Sequence, residues 1–78
     1  MTKLNISLPS IDDVKGFTSL MNNYDYEAEI VSGKYAVDAK SIMGLFSIDL
    51  GQPLELVIHS DNCGGLLEKL EKYITQTQ

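Results

Sequence analysis

The sequence contains no arginine and no tryptophan, and only one histidine (His59), one cysteine (Cys63) and two prolines. Six lysines face eleven carboxylates, a formal net charge of −5. That sign argues against nucleic acid and anionic membrane as partners, because both are bound through basic surfaces. One cysteine rules out a disulfide framework and a cysteine metal cluster. No apolar run approaches the roughly 18 residues of a spanning helix, and the start lacks the apolar core of a signal peptide. A cytoplasmic protein is therefore expected. Metal-ligand spacings, glycine-rich phosphate loops and paired catalytic carboxylates are also missing, so no metal and no cofactor is expected.

What is present fits one small globular domain over residues 1–78. The chain is 44% hydrophobic and 22% charged, ordinary for a folded domain. At this length about 60–65% of the unfolded surface is buried. Leu4, Ile6 and Leu8 alternate with polar residues and predict a first strand, which Pro9 ends. Ser10 and Asp13 form a partial capping box, with the carboxylate one carbon shorter than usual. A helix follows to about Asn22, striped by Val14, Phe17 and Met21; Gly16 weakens it by about 1 kcal/mol relative to alanine. Tyr24, Tyr26, Ala28 and Ile30 alternate with acids in a second strand. Ser32-Gly33-Lys34 marks a turn, and Tyr35 to Ala39 return.

The middle of the chain is the most distinctive part. Ser41 stands where a helix N-cap would stand, and Ile42, Met43, Leu45 and Phe46 crowd into five positions after it. One short turn cannot bury all four on a single face. Leu45 is expected in the core, with Ile42, Met43 or Phe46 left incompletely covered. Gly51-Gln52-Pro53 then breaks the chain. Leu54, Leu56 and Ile58 alternate with Glu55, Val57 and His59 in a fourth strand. A loop over residues 61–65 precedes an amphipathic helix from Leu66 to about Thr75, with Leu66, Leu67, Leu70, Tyr73 and Ile74 inward. Glu68 and Lys72 are spaced as a surface pair. The order is β-α-β-β-α-β-α, an α+β fold with its helices on one face of an antiparallel sheet.

From Gly33 to Ile74 this pattern resembles the HPr family, the phosphocarriers of the bacterial sugar phosphotransferase system. The resemblance is carried by Gly33-Lys34, by Val37-Asp38-Ala39-Lys40-Ser41-Ile42-Met43-Gly44-Leu45-Phe46-Ser47, by Gly51 and by Glu55-Leu56-Val57-Ile58. It implies an open-faced β-sandwich, a four-stranded antiparallel sheet with three helices on one face. In the family a Gly-Leu-His-Ala-Arg-Pro-Ala segment opens the first helix, and its histidine takes a phosphoryl group from enzyme I. Counted back from Lys40-Ser41, those histidine and arginine positions fall on Ser10 and Asp12. A serine lacks the basicity of imidazole, and a carboxylate repels phosphate. Ordinary relay activity is not expected, and neither is catalysis.

The resemblance also implies that Ser41 matches a regulatory phosphorylation site, modified in relatives by a dedicated serine kinase to favour a transcriptional regulator. Capping and modification are compatible there, and Lys40 could offset the added charge. Ile42, Met43 and Phe46 match the family's docking patch, and together with Lys40 they are the expected partner-binding residues. The expected function is a non-relaying regulatory or adaptor protein, monomeric, with phosphotransferase-system proteins or a transcriptional regulator as partners. Two alternatives are a phosphocarrier with a non-standard acceptor and a binding module that keeps only the scaffold. His59 lies on the solvent phase of its strand and, if the first and fourth strands are antiparallel, far from Ser10. Cys63 has no neighbouring base to activate it and is expected to be a bystander.

Overall fold

Residues 1–75 are described by a computed structural model. Its elements are β1 (Thr2–Ile6), α1 (Ile11–Asn22), β2 (Ala28–Ser32), β3 (Tyr35–Asp38), α2 (Ile42–Phe46), β4 (Leu54–Ile58) and α3 (Gly64–Leu70). A 3-10 turn over Glu71–Tyr73 follows α3. The four strands form one antiparallel sheet in the order β1-β4-β2-β3. This is the α+β order expected from the alternation of apolar residues. Among the described residues no helix is long and apolar enough to cross a membrane.

The period-two pattern of each strand sends one set of side chains toward the helices. Ile6, Ala28, Ile30, Leu54, Leu56 and Ile58 meet Val14, Phe17, Met21, Leu45, Leu66 and Leu70 in one buried cluster. Each fully buried large side chain stabilises the fold by about 1.5–3 kcal/mol. The opposite face runs Lys3, Val57, Glu29, Asp38 across one row and Asn5, Glu55, Val31, Ala36 across the next. Val57 is nonetheless buried, because β4 is flanked on both sides and its outward residues are shielded by their neighbours. A two-residue hairpin at Gly33-Lys34 joins β2 to β3. Gly33 has φ +61°, the left-handed conformation that the first central position of a type II′ turn requires.

Several boundaries differ from the sequence-based expectation, and one of them is the start of the last helix, at Gly64 and not Leu66. Leu8 is fully buried but lies beyond β1, because the opposing strand starts only after Pro53, which has no N–H to extend the ladder. Tyr24 to Glu27 precede β2, since β4 ends at Ile58 and only His59 N–H reaches back, donating to the Glu27 carbonyl at 2.8 Å. Ala39 lies just past β3, where the Asp38 carbonyl accepts from Ser41 N–H and turns the chain. The last helix stops at Leu70 and not near Thr75. Ile74 is extended and pairs with Ile6, and Thr75 N–H donates to the Asn5 carbonyl at 2.9 Å. These residues cover part of the β1 edge, which would otherwise offer unpaired backbone groups. Lys72 lies over the Tyr73 ring at 5.2 Å; among the described residues it forms no ion pair with Glu68.

Gly16 has a reason to be glycine. A Cβ there would stand 2.7 Å from the Tyr73 hydroxyl and 3.9 Å from its ring carbon. Tyr73 is itself held by a T-shaped contact with Phe17, ring centroids 5.7 Å apart, so it has little room to retreat. Gly16→Ala should destabilise the protein by about 1–2 kcal/mol in urea unfolding, despite the better helix former. Combining it with Tyr73→Phe should recover most of the loss, since removing the hydroxyl removes the clash.

Candidate functional site

The two helix starts were the features the sequence marked most clearly, and both are capped as expected. Ser10 is extended and its hydroxyl accepts from Asp13 N–H at 3.2 Å. The same hydroxyl donates to Asp13 Oδ2 at 2.8 Å. A full capping box would send the acid back to the backbone N–H of the cap. The shorter aspartate meets the cap's side chain instead. Asp12 is exposed in the first turn of α1, where its charge is favourable to the helix dipole.

Ser41 repeats the arrangement. Its hydroxyl accepts from Gly44 N–H at 3.1 Å, and its carbonyl accepts from Leu45 N–H at 3.0 Å. With 5 residues, α2 has only one turn to bury. Leu45 is fully buried, Ile42 is half-buried against the core, Met43 is 77% exposed and Phe46 43% exposed. The expectation that Leu45 is the core residue of this group holds. Gly44 permits the close fit: a Cβ there would lie 3.3 Å from both the Ser41 hydroxyl and Val37 Cβ.

Lys40 is half-buried and turned away from a simple surface role. Its ammonium donates to the Tyr24 carbonyl at 2.7 Å, and its own carbonyl accepts from Asn22 Nδ2 at 3.2 Å. Sequence reading placed this cation beside Ser41 and missed the distant carbonyl it serves.

Ile11 was also missed. It is 61% exposed and shares with Phe46 a cleft of about 460 Å³ that Leu8, Pro9, Leu50 and Gly51 also line. Its spacing from Val14 is that of a core position, yet the first turn of α1 leaves it in solvent. Ser10 lines the same cleft, so the structure brings Ser10, Ile11 and Phe46 together.

The remaining titratable and nucleophilic residues lie elsewhere. β1 and β4 are antiparallel, with Ile6 opposite Leu54 and Thr2 opposite Ile58. His59 therefore sits at the Thr2 end of the sheet, whereas Ser10 follows the Ile6 end. His59 Nε2 is 3.9 Å from Glu29 Oε1 on the solvent face. Cys63 is buried, with Sγ 3.5 Å from Thr2 Oγ1. Among the described residues no group of three His, Cys, Asp or Glu side chains is placed to hold a metal ion.

A scan of protein-family models and a search of curated proteins find no match. Solved structures do match. HPr-C-His from Thermoanaerobacter tengcongensis aligns with a TM-score of 0.75 at 19% identity, over 92% of this chain and 89% of that one. The phosphocarrier protein HPr of Bacillus anthracis aligns with a TM-score of 0.72 at 21% identity, over 95% of this chain and 96% of that one. The fold is that of HPr. Crh of Bacillus subtilis, a catabolite-repression protein described as a domain-swapped dimer, aligns with a TM-score of 0.64 at 23% identity, over 91% and 88% of the two chains.

In this HPr fold the exposed and buried members of α2 should separate cleanly in stability measurements. Leu45→Ala should cost about 2–5 kcal/mol through the cavity it leaves. Met43→Ala should stay within about 0.5 kcal/mol. Ser41→Ala should cost about 1 kcal/mol by removing the cap, and Ser41→Asp should lose less because a carboxylate can accept the same N–H. Urea denaturation of the four variants beside the parent checks all of these values.

Proposed function

We propose that this protein is a regulatory or adaptor relative of HPr that docks partners through α2 and does not relay phosphate. The observation that supports it best is the exposure of Met43 and Phe46 on a helix too short to bury them. Phe46 shares a cleft with Ile11 and Ser10, and Ile42, beside Met43 in the same helix, is partly buried against the core. The partners are proteins of the phosphotransferase system or a transcriptional regulator that works with it. The Crh neighbour, a catabolite-repression protein, favours the regulatory form of this reading.

The lack of relay follows from the residues at the start of α1. The Ser10 hydroxyl proton is engaged by Asp13 Oδ2, and Ser10 has no imidazole or guanidinium near it, since the chain has no arginine and its one histidine is at the other end of the sheet. Two carboxylates, Asp12 and Asp13, stand in the same turn and oppose an incoming phosphoryl group.

Regulation is assigned to Ser41. In that step the Ser41 Oγ–P bond forms as the γ-phosphorus of ATP separates from the bridging oxygen. ADP leaves, and the hydroxyl proton passes to the kinase's base. The new charge of about −1.5 to −2 stands beside Ile42 and Met43 and changes which partner surface fits.

Incubation with ATP and the serine kinase that modifies HPr should add a single phosphoryl group, seen as one mass shift, and Ser41→Ala should abolish it. An unmodified parent protein would remove the regulatory half of the reading. For docking, Met43→Ser with Phe46→Ser should weaken partner binding by at least about tenfold, the loss expected from two buried apolar contacts. Unchanged binding by that variant would remove the docking half.

A further inference from the structure

The elbow between β3 and α2 is fastened to the far end of α1 through a single residue. Lys40 uses all three of its polar groups there. Its N–H donates to Asp38 Oδ1 at 2.9 Å, its carbonyl accepts from Asn22 Nδ2 at 3.2 Å, and its ammonium donates to the Tyr24 carbonyl at 2.7 Å. Asn22 Nδ2 also reaches the Thr18 carbonyl at 2.8 Å. The last turn of α1 carries no basic residue of its own. Lys40 therefore supplies, from another element, the cation that a helix C-terminus favours.

The residue after this anchored lysine is Ser41. We infer that Lys40 is a latch whose position depends on the state of Ser41. With a free hydroxyl on Ser41, the ammonium holds the Tyr24 carbonyl. With a phosphoryl group there, the ammonium moves to the phosphate and releases the Tyr24 carbonyl, two residues past the end of α1. The inference rests on the reading of Ser41 as the modified residue, and it adds what the modification does inside the molecule.

The competition is between a neutral carbonyl and a group carrying about −1.5 to −2 charges. Charge-assisted bonds to phosphate are roughly twice as strong as neutral ones. The lysine has a flexible four-carbon stem and is adjacent in the chain, so side-chain torsions suffice for the exchange. Once the ammonium leaves, the Tyr24 carbonyl turns to water. The Tyr24 N–H bond to the Met21 carbonyl, 3.2 Å long, then loses the contact that steadies it. Tyr24 stacks on Tyr26 at 6.0 Å, and Tyr26 in turn donates to the Asn62 carbonyl. Modification of α2 would thus loosen a segment remote from the docking surface.

The test uses the full chain with phosphoserine installed at position 41 during translation, so that it is independent of any kinase. The readouts are the Tyr24 carbonyl carbon shift, the Lys40 side-chain nitrogen signal and amide exchange at Tyr24. Phosphoserine should move both signals and speed Tyr24 exchange by about fivefold. Lys40→Met in the unmodified chain should give the same Tyr24 changes, and phosphoserine should add nothing to them in that background. A Tyr24 carbonyl and a Lys40 nitrogen unmoved by phosphoserine would overturn the latch. So would Tyr24 changes of equal size with Lys40→Met in place. If Lys40→Met does not fold, the two wild-type signals decide alone. A chain that no kinase modifies would defeat the proposed regulation and leave this result standing.

Discussion

The antiparallel register of β1 and β4 decides how far the sole histidine lies from the start of the first helix. Ile6 faces Leu54 and Thr2 faces Ile58, so the residues entering α1 and the residue leaving β4 are at opposite ends of the sheet. Four residue steps of strand, about 14 Å, separate those ends. The sole histidine is thereby kept from the start of the first helix, and no side-chain rotation spans that gap. Shifting the register by one residue would turn Leu54, Leu56 and Ile58 of β4 outward, so their burial holds the separation in place.

A second constraint is the length of α2. A helix of 5 residues capped by a serine can commit one large side chain fully to the core, and Leu45 takes that place. Met43 and Phe46 are left at the surface by geometry. The helix is too short to be stable from its own hydrogen bonds. It depends on the Ser41 cap, on the buried Leu45 and on the elbow that Lys40 and Asn22 tie to α1. Surface and anchor are therefore built from adjacent residues.

Much of this was legible in the sequence because it is local. Strand alternation, the serines at both helix starts, Leu45 as the inward residue and the turn at Gly33 each follow from a few neighbouring side chains. What escaped was set by partners distant in sequence. The last helix ends early because Ile74 can pair with Ile6, a contact no helical spacing announces. Val57 reads as a polar-face residue until β4 is known to be central. Gly16 reads as a weak point in a helix until Tyr73 is seen above it. At the candidate site the exposure of Met43 and Phe46 was readable, whereas Ile11 was disguised by core spacing. Lys40 looked like a neighbour of Ser41 because sequence shows adjacency and not the direction of a long side chain.

The proposed account stands or falls on the inability of the α1 start to carry a phosphoryl group. The most direct measurement is intact mass after incubation with phosphoenolpyruvate and enzyme I, recorded before and after mild acid. The account predicts a mass unchanged in both spectra. A single acid-labile phosphoryl group that then passes to a sugar permease would contradict it.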